Sequence, residues 1–177
     1  QMNEDMKRFI IDNIEDLLEY GDTGFEKAIK GTTSEFRALK DLKKKYDIKR
    51  SPNPDAGGNP DFTLVHGGKE ILIEHKRVSK NVYANGDLKL EFQKSRASKG
   101  DPSSRYYSAE WCDLVSVDIS EHTGIPNDKR FIWSKDLDRH KDFPEKIKAL
   151  HRQSTFWYDN LEDALCREAQ LRLWEDK

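Results

Sequence analysis

The sequence predicts an α/β domain, with helices first, a mixed sheet in the middle and helices last. Three observations point there. Apolar residues recur at helical spacing before residue 46 and again after residue 161. Short apolar, β-branched runs bounded by turn signals fill the middle. Pro, Gly and Asn concentrate between the two patterns, over 51–60.

Ile10, Ile14, Leu17 and Leu18 stand at i, i+4, i+7 and i+8, which predicts an amphipathic helix over 4–20 ending at Gly21. A short helix is expected from Gly24 to Lys30. Thr32, Thr33 and Ser34 then offer N-caps to a third helix, about 34–46. Its apolar stripe is Leu39, Leu42 and Tyr46, with Phe36 and Ala38 beside it; Glu35, four residues before Leu39, faces the core side. The strongest β signal is a hairpin of 61–65 and 70–78 about the turn His66-Gly67-Gly68. Asn85-Gly86 marks a second turn, and strands are expected at 88–92, 114–119 and 130–133. Leu161, Leu165, Ala169 and Leu173 carry the spacing of a closing helix. The 177 residues fit a single domain, divided into an N-terminal helical segment (1–30) and a core (31–177).

Composition excludes several functions. Bases number 31 and acids 33, so the net charge of −2 rules out a uniformly basic coat. Nothing approaches the roughly 20 apolar residues of a membrane helix, and no signal peptide precedes Met2, so a cytoplasmic protein without membrane contact is expected. Cys112 and Cys166 are too few and too far apart for a zinc knuckle and read as buried thiols of a reducing compartment. The five His residues never pair at ligand spacing. Without GxxxxGK[ST], GxGxxG or GxSxG, nucleotide hydrolysis and serine-esterase chemistry have no support. Charge is nevertheless uneven: residues 76–105 hold eight bases against three acids, between acidic flanks. Such a stretch suits either a solvated loop or a polyanion-binding edge.

On the second hairpin strand, Glu74 and Lys76 are two apart and share a face, with Ile71 and Ile73 on the other. A buried acid and base are expensive unless paired or bound to a metal. Asp61 opens the partner strand directly after Pro60, and a tight hairpin brings its carboxylate beside Glu74. Two carboxylates and a lysine suit a hard divalent cation, Mg²⁺ first, and the hydrolysis of a phosphodiester. A structural Glu–Lys pair is the plainer alternative.

Pro60-Asp61 followed by Glu74-His75-Lys76 resembles the motif of the PD-(D/E)XK nucleases, the superfamily with the restriction-endonuclease-like fold, a central mixed β-sheet flanked by helices. The segments 91–96, 101–107 and 111–115 are similar to a basic strand end, an aromatic-rich loop and a hydrophobic strand of such proteins. The resemblance implies that Asp61 and Glu74 are metal ligands and that Lys76 activates the nucleophile. It makes Glu35 the helix acid that completes the site, against a capping role, and sets Gln93 near the scissile phosphate, with Lys94. It also implies a DNA-facing loop of Lys94, Arg96, Lys99, Ser103, Ser104, Arg105, Tyr106 and Tyr107, the two tyrosines serving equally well as core. His75 points away from the site as a buried, satisfied imidazole. The expected protein is a Mg²⁺-dependent endonuclease for double-stranded DNA, with Mn²⁺ able to substitute. The leading role is a homodimeric type II restriction enzyme or a related defence or mobile-element nuclease, with a targeting domain or partner if the chain is a fragment. A non-catalytic DNA-binding module and a structure-specific resolvase or repair nuclease are the alternatives.

Overall fold

The first helical pattern is interrupted where the side chain of Asn13 turns back on the preceding turn. In the computed structural model, which describes residues 4–52, 59–78, 82–94, 98–153 and 157–167, α1 (Glu4–Asp12) and α2 (Ile14–Tyr20) stand in place of one helix over 4–20. The Asn13 amide donates to the Phe9 carbonyl (2.8 Å). The next two expected helices are one, α3 (Thr23–Leu42). Asp22 supplies the start, its Oδ1 accepting the Phe25 N–H at 2.9 Å, so Thr32, Thr33 and Ser34 lie within the helix rather than capping it. Gly31 sits in α3 with open space where a Cβ would stand. Gly31→Ala is therefore expected to stabilise the protein by about 1 kcal/mol in urea unfolding.

The chain divides into two units, Gln1–Thr33 and Ser34–Lys177. In the second, β1 (Asp47–Arg50), β2 (Phe62–His66), β3 (Lys69–Arg77) and β4 (Lys89–Glu91) precede a 3-10 turn (Pro102–Arg105). β5 (Leu114–Asp118), α4 (Ser120–Thr123), β6 (Lys129–Trp133) and β7 (Leu150–Arg152) follow, and 161–167 are helical. Five strands form the central sheet in the order β1-β2-β3-β5-β6, while β4 and β7 form a separate antiparallel pair. β3 and β5 run parallel; the other neighbours are antiparallel. The fold is thus a mixed α/β architecture with a five-stranded central sheet flanked by helices. β1 and β7 escaped the sequence pattern because each is short and carries one apolar residue; strand partners, not periodicity, define them.

The hairpin closes through Gly67 and Gly68, at φ +57° and +74°. Two consecutive left-handed residues match the right-handed twist of the strands they join. Gly68→Ala is expected to cost about 1–2 kcal/mol, the opposite sign to Gly31→Ala, because its Cβ meets open space but its backbone is left-handed.

Alternation along the strands sends side chains to two cores. On one face, Phe62, Leu64, Ile71, Ile73, Leu114, Phe131 and Trp133 pack with Ala38 and Leu42 of α3 and with Leu161, Ala164 and Leu165. On the other, Val115, Val117 and Ile132 meet Leu90, Phe92, Tyr107, Cys112, Ile147 and Trp157. The buried stripe of α3 runs through Ser34, Ala38 and Leu42, so Leu39 is only partly buried and Phe36 stands 63% exposed. Cys112 is buried, and that burial holds its thiol well above the ordinary range. Cys166, expected inside, is exposed, on the opposite side of its helix from the buried Leu161, Ala164 and Leu165. Among the described residues no helix is long and apolar enough to cross a membrane.

Candidate active site

The register of the hairpin sets Phe62 opposite Ile73, so Asp61 and Glu74 are the next pair along and share the second core face with Lys76. Asp61 and Glu74 are buried, at 6% and 1% exposure. Asp61 Oδ2 accepts the His75 backbone N–H at 2.7 Å. Glu74 Oε1 is ion-paired with the Lys76 ammonium, and Oε2 accepts the Trp111 indole N–H at 3.0 Å. Lys76 also donates to the Tyr107 hydroxyl (3.2 Å) and lies 4.9 Å from the centroid of that ring.

The charges do not balance locally. Burial, then the neighbouring Glu74 carboxylate, pushes the Asp61 carboxyl up to about 7, against the lowering effect of the His75 N–H and Lys76. Burial by itself would depress Lys76; the Glu74 carboxylate and Tyr107 outweigh it and hold the ammonium well above its usual range. Lys76 is therefore held as a cation at neutral pH, suited to neutralising a phosphate oxygen. Two buried carboxylates share one ammonium, which is the environment that favours an added cation. Among the described residues no group of three or more His, Cys, Asp and Glu could hold a metal ion. A Mg²⁺-type ion fits this donor set, because it binds through one or two carboxylates and keeps several waters.

Glu35 is half-buried, its Oε1 accepting from Arg50 Nε at 3.1 Å, and its charge contributes to raising Asp61. Gln93 is half-buried and bridges Tyr106 across an antiparallel contact. Lys94 is exposed; its N–H donates to the Arg105 carbonyl (2.8 Å), and its ammonium lies 5.7 Å from the centroids of both the Tyr107 and the Trp111 ring. Lys99 and Arg105 are exposed on the same loop. Ser103 donates to Asp101 Oδ1 (2.7 Å) and Ser104 to the Asp101 carbonyl (2.6 Å), so both hydroxyl protons are engaged within the turn. Tyr106 packs against His140, with centroids 4.2 Å apart, whereas Tyr107 is buried against Lys76 and not on an open loop surface. Arg96 lies outside the described residues.

His75 points to the opposite face, between Ser34 Oγ (2.8 Å from Nε2) and Ser116 Oγ (3.2 Å from Nδ1). The Ser34 hydroxyl donates to Asp118, so it accepts from Nε2–H, and Nδ1 accepts from Ser116. Burial pushes the imidazole down to about 4. The sequence reading missed this chain of polar groups, Arg50 as the partner of Glu35, and Trp111 as a partner of Glu74. Trp111 carried no periodic signal, since it precedes β5 in irregular chain.

No family model matches the chain, and no curated protein matches it. Among solved structures it is similar to that of a bacterial homing endonuclease, I-Ssp6803I, at 14% identity and a TM-score of 0.46, covering 76% of this chain and 79% of that one.

Proposed function

We propose that this chain is a metal-dependent endonuclease that hydrolyses phosphodiester bonds in double-stranded DNA. The observation that carries the reading is the pair of buried carboxylates, Asp61 and Glu74, beside the half-buried Lys76, with Asp61 raised to about 7 by burial and by Glu74. A purely structural ion pair needs one acid for one base; the second buried carboxylate is the unexplained charge that a cation would answer.

Asp61 and Glu74 would hold a divalent cation, Mg²⁺ or Mn²⁺, which when bound supplies charge to the phosphate and lowers the pKa of an attacking water. Lys76 presents a permanent positive charge beside them and stabilises negative charge developing on a phosphate oxygen. Glu74 holds that ammonium in place, and Tyr107 limits its reach. Exposed Lys94, beside the Tyr107 and Trp111 rings, and exposed Lys99 and Arg105 suit the phosphates of a duplex. A type II restriction enzyme is the leading biological role, a homodimer matching a palindromic site to its own two-fold axis.

The test is incubation of supercoiled plasmid and phage DNA with the protein in Mg²⁺, in Mn²⁺ and in EDTA. Cleavage with either ion and none in EDTA is the expected result, and discrete bands would identify a sequence-specific enzyme. DNA binding without cleavage under any metal would overturn the reading in favour of a binding module.

A further inference from the structure

We propose that Trp111 is a positioning residue for this site, its indole N–H fixing the Glu74 carboxylate in the orientation that receives a divalent cation. The inference rests on the reading of Asp61 and Glu74 as cation ligands.

Strand pairing fixes the backbone of Glu74 opposite Val115, but leaves its side chain free to rotate. Two donors remove that freedom, Lys76 at Oε1 and Trp111 at Oε2 (3.0 Å). They are not equivalent. An ammonium on a flexible stem follows a carboxylate through many orientations. An indole N–H is a single directional donor that never accepts, so it holds one oxygen at one angle. Each oxygen of an ionised carboxylate has two lone pairs; with one engaged by a donor, the other remains for a cation.

The chain around Trp111 is tied down in a way that delivers this contact. The Leu72 N–H donates to Asp113 Oδ2 (2.8 Å) and the Asp113 N–H to the Leu72 carbonyl (2.9 Å), which clamps the segment to β3 two residues before Glu74. On the other side the Trp111 N–H donates to the Ser108 carbonyl (3.1 Å). The indole packs against Tyr107, with centroids 5.2 Å apart and planes inclined by 58°. Since Tyr107 is itself bonded to Lys76, one aromatic pair grips both ends of the Glu74–Lys76 ion pair. Outer partners of metal ligands commonly carry a 10–100-fold effect on affinity.

The test compares the full chain with Trp111→Phe, which keeps a ring and removes the donor. In a calorimetric titration with Mn²⁺, the variant is expected to bind about 10–100-fold more weakly. The Mn²⁺ concentration for half-maximal DNA cleavage should rise in parallel, with a smaller loss of rate at saturating Mn²⁺. A role in packing alone would lower the urea midpoint in EDTA and leave the Mn²⁺ affinity equal, and that result overturns the inference. If Trp111→Phe does not fold, Mg²⁺ is titrated into wild-type protein labelled with ¹⁵N-tryptophan. The Trp111 indole resonance should then move while that of Trp133, bonded to the Ala164 carbonyl, stays still; an unmoved Trp111 resonance at saturating Mg²⁺ overturns the inference. Wild-type protein that neither binds Mn²⁺ nor cleaves DNA overturns the site reading and this inference together. Binding and cleavage with an unaltered variant overturns this inference alone.

Discussion

Lys76→Met is expected to lower DNA cleavage by about 10²–10³-fold and to weaken the fold by about 3–5 kcal/mol at the same time. The first effect follows from removing the fixed cation beside the two carboxylates. The second follows from Glu74, which at 1% exposure would be left buried with the Trp111 indole N–H in place of its ion pair. Asp61→Asn separates the two effects. It too should lower cleavage severely, but it removes the carboxylate that burial and Glu74 already disfavour, and Asn retains an acceptor for the His75 N–H. In EDTA near pH 8 this variant should be more stable than wild type by up to about 4 kcal/mol, the difference between an ordinary Asp and one raised to about 7. Urea unfolding of the two variants, alongside plasmid cleavage, tests both statements. Equal destabilisation by the two substitutions would sink the account of the charge imbalance.

The second large effect is a pair of opposing pH dependences in the metal-free protein. His75 is pushed down to about 4 by burial, so between about pH 4 and 6.5 the unfolded chain binds more protons there than the folded one. Stability from His75 is therefore complete above about pH 6.5 and falls by about 3 kcal/mol as the pH drops toward 4. Asp61 works the other way. Its folded pKa is raised, so the folded state binds more protons between pH 3.8 and about 7, and stability falls as the pH rises through that window. The two slopes largely cancel in the wild type. Urea midpoints measured from pH 4 to 8 in EDTA should show His75→Gln losing stability as the pH rises and Asp61→Asn gaining it. Parallel curves for all three proteins would show that neither group carries the shift described.

Much of the central hairpin was legible because its signals are local. Gly67-Gly68 demands a tight turn, and strict alternation puts Glu74 and Lys76 on one face and Ile71, Ile73 and His75 on the other. The helix boundaries were less legible. Thr32, Thr33 and Ser34 look like a cap, but Asp22 starts the helix earlier, and Ala38 and Leu42 bury the face that continues from Ser34. Propensity at three residues yields to packing along twenty. Tyr106 and Tyr107 show the same limit: adjacent aromatics on one loop, yet one stacks on His140 and the other turns in to Lys76.

The sequence by itself determined which residues could meet within the hairpin, because a period of two and a two-residue turn leave one register that buries the apolar face. It also determined that a lysine and a carboxylate would share one face of a strand. Only the tertiary structure decided what surrounds them. Trp111 and Tyr107 reach the Glu74–Lys76 pair, Arg50 takes Glu35, and Ser34 and Ser116 enclose His75. Those contacts join residues up to 41 positions apart. Their directions depend on how loops and helices close over a sheet, which no spacing within a single segment encodes.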